Sequence, residues 1–105
     1  MDSTGFENLH VYQLAETLSD IIWNIIIKWD KLAQDTGGKQ WINSADSIGA
    51  NIAEGTGRGS FADNQRFAKI ARASLFEVMH WLRRLIKETW LLKMKSMNCK
   101  RLLMS

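Results

Sequence analysis

Val11, Ala15, Leu18, Ile22, Ile25, Trp29 and Leu32 recur at steps of four and three, the spacing that puts side chains on one face of an α-helix. This stripe predicts a first helix. Leu14, Ile21 and Ile27 widen its apolar arc beyond what one neighbour needs, so a second burial partner is implied. Gln34 to Gly38 read as the break after it, with Asp35 or Thr36 available as a cap and Gly37 and Gly38 free to take positive φ. Trp41, Ala45, Ile48 and Ile52 then form the inner stripe of a second helix ending at Glu54 or Gly55. Its Gly49 and Ala53 are small enough to let another helix come close.

Phe67, Ala71, Ser74, Val78, Leu82 and Leu85 repeat at the same spacing and predict a third helix. Ser60 followed by Asp63 resembles a capping box at its start, with the acid at the positive end of the helix dipole. Beyond Ile86 the pattern loosens. Trp90, Leu91, Met94, Met97, Leu102 and Leu103 predict a short fourth helix starting at Thr89 or Ser96. With short connections the chain reads as a single all-α domain over residues 1–105, an antiparallel up-down-up-down four-helix bundle.

The stretch Ala50 to Phe67, "ANIAEGTGRGSFADNQRF", holds three glycines at alternate positions and forms the corner between the second and third helices. Gly55 sits where a helix end favours the left-handed conformation, Gly57 and Gly59 allow a tight reversal, and Ser60 opens the next helix. A phosphate-gripping loop is the competing reading. Phosphate-binding glycine fingerprints follow a β-strand, however, and here a helix precedes the glycines with no Gly-Lys-Ser/Thr ending. Asn51, Glu54, Arg58 and Arg66 are the polar groups such a corner would partly bury. The reading is a clasp in which an arginine from the turn or the third helix meets Glu54 and fixes the helix angle, because a carboxylate withdrawn from water needs a partner.

Composition adds to this. The chain has no proline, and all seven glycines lie at or before Gly59, so helix is favoured from Ser60 onward. The single cysteine, Cys99, can form no internal disulfide and has no partner for a zinc knuckle. No secretory start or apolar run long enough to span a bilayer is present. The expectation is a cytoplasmic protein without metal or cofactor. Charge is split along the chain: three lysines against eight acids up to Gly57 give −5, and eleven cations against three acids from Arg58 give +8. That asymmetry suits subunit-to-subunit complementarity or an anionic polymer.

Glu7 with His10 and Glu77 with His80 are both Glu-x-x-His, the pairs that build di-iron sites in ferritin-like bundles. In an up-down-up chain the first and third helices are parallel, and Glu77 then lies about 24 Å further along the axis than Glu7. The two pairs cannot share a metal. No serine or cysteine has a base and an orienting acid at hand, so the parts of a nucleophilic enzyme are lacking. The expectation is a non-enzymatic protein.

"FENLHVYQLAETL" at Phe6 to Leu18 and "SADSIGANIAEGTGRGSFADNQRFAKIARASLFEV" at Ser44 to Val78 resemble the four-helix-bundle family encoded in intervening sequences of bacterial 23S ribosomal RNA genes. The accessory variability protein of diversity-generating retroelements is related to that family. The resemblance implies an antiparallel four-helix protomer, a homopentamer and, for the retroelement members, binding of nucleic acid and a reverse transcriptase through basic surfaces. Two departures stand out. Ala73-Ser74 replaces the usual Gly-Ser, and Lys87 to Ser105 is short, basic and methionine-rich where the family has a full fourth helix with acidic positions.

For RNA or DNA the third helix offers Arg66, Lys69, Arg83, Arg84 and Lys87, with Phe76 and His80 on the same flank. Cations interleaved with aromatic edges suit phosphate contact and base stacking. The competing reading is a solvated face that balances the acidic half of a neighbouring subunit, in a structural or protein-binding scaffold.

Overall fold

A computed structural model describes residues 5–104, with the backbone alone at positions 90, 92 and 99–104. The expected roles of Trp90, Cys99, Leu102 and Leu103 therefore lie outside the described side chains. A 3-10 turn (Phe6–Asn8) leads into α1 (His10–Ile26); after a turn, α2 (Lys31–Ala33), a π-helical segment (Gln34–Gly38) and α3 (Lys39–Gly57) run into one another without interruption, and α4 (Phe61–Met104) is the last described element. No strand occurs among the described residues. The described chain is thus all-α and consists of three rods: α1, the continuous α2–α3 rod, and α4.

The first turn falls earlier than the glycines suggest. α1 stops at Ile26, and the new helix starts from Asp30, whose carboxylate accepts the Ala33 N–H at 2.9 Å. The Gln34 amide donates to the Ile26 carbonyl at 3.1 Å, meeting one of the acceptors that a helix end leaves open. Gln34 to Gly38 is therefore not a break, and neither Gly37 nor Gly38 has positive φ. Close approach explains these glycines instead. A Cβ at Gly38 would lie 3.0 Å from the Ala33 carbonyl and 3.1 Å from Ile26 Cγ2, and one at Gly37 would lie 3.2 Å from Leu85 Cδ2. The wide π turn places both against neighbours.

The α2–α3 rod lies in the middle, packed on α1 on one side and α4 on the other, while α1 and α4 hardly meet. Ala15, Ile22 and Ile26 of α1, Trp41, Ala45 and Ile48 of α3, and Ala71 and Val78 of α4 form the buried core. Gly49 allows the expected approach, since a Cβ there would touch the Tyr12 ring at 3.4 Å. Trp29 stacks on Trp41, with centroids 6.1 Å apart and planes 13° from parallel. On the other side Gly55 meets Phe67, Ser47 meets Ser74 and Gly37 meets Leu85, which is the register of two antiparallel helices.

That register runs out near position 91, opposite Lys31, the start of the central rod. α4 continues regardless, as a single helix of 44 residues in a molecule 68 Å long. The short fourth helix expected from Thr89 or Ser96 is instead the distal end of α4. Nothing after Gly59 interrupts the backbone, and Leu, Lys, Met and Glu all favour helix there.

Candidate nucleic-acid interface

The glycine corner is simpler than its sequence suggests. α3 continues through Gly55 and Gly57, and the reversal is made at Gly59, the one described residue with positive φ, at 76°. Gly55 is helical and has a packing role: a Cβ there would sit 2.8 Å from the Phe67 Cβ. Ser60 caps α4 as expected, its Oγ accepting the Asp63 N–H at 3.1 Å.

Because the helix does not break, Glu54 and Arg58 form an ordinary pair one turn apart. Arg58 Nε and Nη2 donate to Glu54 Oε1 at 3.1 and 2.8 Å, with both side chains about half exposed. No buried clasp forms between helices. Arg66 pairs instead with Asp63 at 3.6 Å. The guanidinium groups of Arg58 and Arg66 both stand over the Phe67 ring, at 5.1 and 4.6 Å from its centroid, and so cover the corner with cation–π contacts.

Asn51 belongs to a different arrangement. Its Nδ2 donates to the Ser47 carbonyl at 2.8 Å and to Ser47 Oγ at 3.0 Å, and the Ser47 and Ser74 hydroxyls share a hydrogen bond of 3.0 Å across α3 and α4. This polar ladder ties the two helices where small residues let them approach. Ser47 and Ser74 are 27 positions apart, and nothing in the local sequence couples them. The available signal was Ser74 alone, a serine inside the apolar stripe of the third helix.

The five cations expected on the third helix all lie on α4 and are all exposed. Arg66 is taken up by Asp63, and Arg84 Nη2 donates to Glu88 Oε1 at 3.1 Å. Among the described residues Lys69, Arg83 and Lys87 make no ion pair. At helical rise they span about 27 Å. Phe76, 56% exposed, and His80 lie between them on the side away from α3. Arg72, not singled out in the sequence, stands over the Phe76 ring at 5.6 Å and adds a cation to this face. An exposed row of cations with an aromatic edge can contact phosphates and stack on a base.

The Tyr12 hydroxyl donates to Glu16 Oε2 at 3.5 Å. Burial first, then the Glu16 and Glu7 carboxylates, hold its phenol above the ordinary tyrosine range. Among the described residues no group of three or more His, Cys, Asp or Glu side chains is placed to hold a metal ion. No described helix is long and apolar enough to cross a membrane.

A family model described as the 23S rRNA-intervening sequence protein matches residues 7–103. No curated protein and no solved structure matches the chain.

Proposed function

The chain belongs to the 23S rRNA-intervening sequence protein family, and from that premise we propose that it is a non-enzymatic, self-assembling helical protein that binds RNA or DNA through the outer face of α4. The observation that carries this reading is the row of Lys69, Arg83 and Lys87, exposed and without carboxylate partners among the described residues, with Phe76 and His80 between them. A balanced surface would pair these cations as Arg66 and Arg84 are paired. Helix-borne cations reach phosphates without help from a loop, and Phe76 offers a ring face to an unpaired base.

Self-assembly is supported by apolar surface that the three rods leave uncovered. Trp23, Ile27 and Leu32 are 56%, 50% and 75% exposed, and Trp23 and Ile27 lie one turn apart on the same side of the chain. The resemblance implies five copies and a protein partner such as a reverse transcriptase. Light scattering in solution, with and without RNA, counts the copies.

Binding to a labelled RNA and to a duplex DNA across a salt series tests the interface. Affinity should fall steeply with salt, with a log-log slope of about −0.9 per phosphate neutralised on duplex. Absence of binding at low salt removes the proposal. In Arg83→Glu/Lys87→Glu, loss of binding with assembly intact favours this interface. Loss of assembly favours the second reading, a scaffold whose cations face a neighbouring subunit, which the opposite charges of the two chain halves support.

A further inference from the structure

The cations on the outer face of α4 stand in two groups with an aromatic interval between them. Lys69 and Arg72 form the first group, Arg83 and Lys87 the second, and all four are exposed and outside the ion pairs of the described residues. At helical rise the centres of the two groups lie about 22 Å apart. Phe76 and His80 fill the interval, one turn from each other. Arg72 stands over the Phe76 ring at 5.6 Å, and the Trp81 ring meets His80 edge-on with centroids 5.1 Å apart. Each ring thus rests against a neighbour and stays exposed.

Spacing decides what these rings can meet. Successive nucleotides of a duplex strand recur about every 3.4 Å, whereas residues four apart on a helix are displaced by about 6 Å. A strand that follows the row must therefore open its stack at the rings. Paired bases turn only their edges toward a groove, and a base edge gives an aromatic ring no face to stack on.

Charge gives a second reason. A helix lodged in a major groove about 12 Å wide has a phosphate backbone on each side, so it needs cations on both flanks. On α4 the free cations make one row. Counted at about 100° per residue, Asp63, Glu77 and Glu88 all fall on one flank, about 80 to 120° round the helix from Lys69, and Asp63 and Glu88 there already hold Arg66 and Arg84. The opposite flank carries Leu75, Met79 and Ile86, each at least 42% exposed. A second backbone would meet carboxylates on one side or apolar side chains on the other.

We propose that this face selects single-stranded over double-stranded nucleic acid. One strand lies along α4, its phosphates held by Lys69 and Arg72 at one end and by Arg83 and Lys87 at the other, with unpaired bases stacked on Phe76 and His80. The inference rests on the nucleic-acid reading proposed above and narrows it to unpaired strands. Every base has a π-face to offer, so the selection is for strand state and not for sequence.

Fluorescence anisotropy with a labelled oligouridylate, the matching oligothymidylate, and RNA and DNA duplexes of equal length reads the selection at one salt concentration. The single strands should bind at least about tenfold more tightly, through stacking that a duplex does not make. Phe76→Leu keeps apolar bulk at an exposed position and removes the ring. It should weaken single-strand binding by about fivefold or more, the loss of one base stack, with duplex binding and helical circular dichroism unchanged, and Phe76→Tyr should retain the affinity. Lys69→Gln/Lys87→Gln should lower the log-log salt slope on oligouridylate by about 1.4, two contacts at about 0.7 each. Duplexes that bind as tightly as single strands overturn the selection while the nucleic-acid reading stands, and so does a Phe76→Leu variant that binds oligouridylate like wild type or weakens on both strand types alike. Failure of single strands and duplexes both to bind at low salt overturns the two together.

Discussion

The two halves of α4 are built from similar residues and have opposite fates. Between Phe67 and Leu85 the predicted inward positions meet the central rod, Phe67 at Gly55, Ala71 and Val78 in the core, Ser74 on the Ser47 hydroxyl and Leu85 at Gly37, with the exception of Leu82, which is 42% exposed. Beyond position 91 there is no rod to meet. Leu91, Met94 and Met97 stay 48%, 43% and 52% exposed on a helix that is equally regular. Helix formation and burial are therefore separate matters here. Propensity alone carries the backbone on, while packing stops where α2 begins. An isolated stretch of this length is only marginally helical in water, so the distal half has most to gain from a partner.

Hydrogen exchange gives the largest contrast. In the protein at low concentration, amides from Ala71 to Leu82 should exchange only through global unfolding and amides beyond position 91 through local fraying, a difference of several orders of magnitude. Equal protection of both halves would break the comparison. Side-chain truncation makes the same point energetically. Val78→Ala, at a site 4% exposed, should cost about 2 kcal/mol, and Met97→Ala less than about 0.5 kcal/mol in dilute protein by chemical denaturation.

Much of the packed half was legible in the sequence, and for a clear reason. Ala71, Ser74 and Val78 lie on the predicted inner stripe and are buried, as are Trp41, Ala45 and Ile48, because apolar spacing reports which face meets a neighbour. The capping of Asp63 by Ser60 is a contact within four residues and was equally readable. The glycines misled. Gly37, Gly38 and Gly55 read as breakers, yet each sits inside a helix against Leu85, Ile26 or Phe67. A glycine required by a distant side chain looks the same in sequence as one required by a turn. The basic face lay where helical spacing puts it, but which cations are neutralised depended on rotamers near Asp63 and Glu88. Ile26, missing from the predicted stripe, is buried because it lies one helical turn after Ile22 on the buried face of α1, while Ile25, named in the stripe, is 39% exposed.

Gly55→Ala sharpens the contrast between the two kinds of glycine. If Gly55 serves close approach, the added methyl meets the Phe67 Cβ and should destabilise by about 1 to 2 kcal/mol, overpacking outweighing the gain in helix propensity. If it served backbone freedom alone, its helical φ would accept alanine with a gain. Thermal unfolding followed by circular dichroism separates the signs. Ser60→Ala should follow at about 1 kcal/mol, because it removes the acceptor of the Asp63 N–H at the one end of α4 that is anchored.

Arg58→Ala should have the smallest effect, and it tests whether the corner is a clasp or a surface. The Glu54 pair is half exposed, and such pairs contribute about 0.3 to 0.5 kcal/mol on a helix. Arg58 also stands over Phe67, which Arg66 covers as well, so its removal leaves one cation in place over the ring. Arg58→Ala should therefore cost no more than about 1 kcal/mol even with the cation–π contact included, with the electrostatic part fading as salt rises. A loss several times larger that salt does not reduce would mean that Glu54 is desolvated and the corner clasped. The packed half of α4 would then be held at its first turn by charge as well as by Gly55 and Phe67.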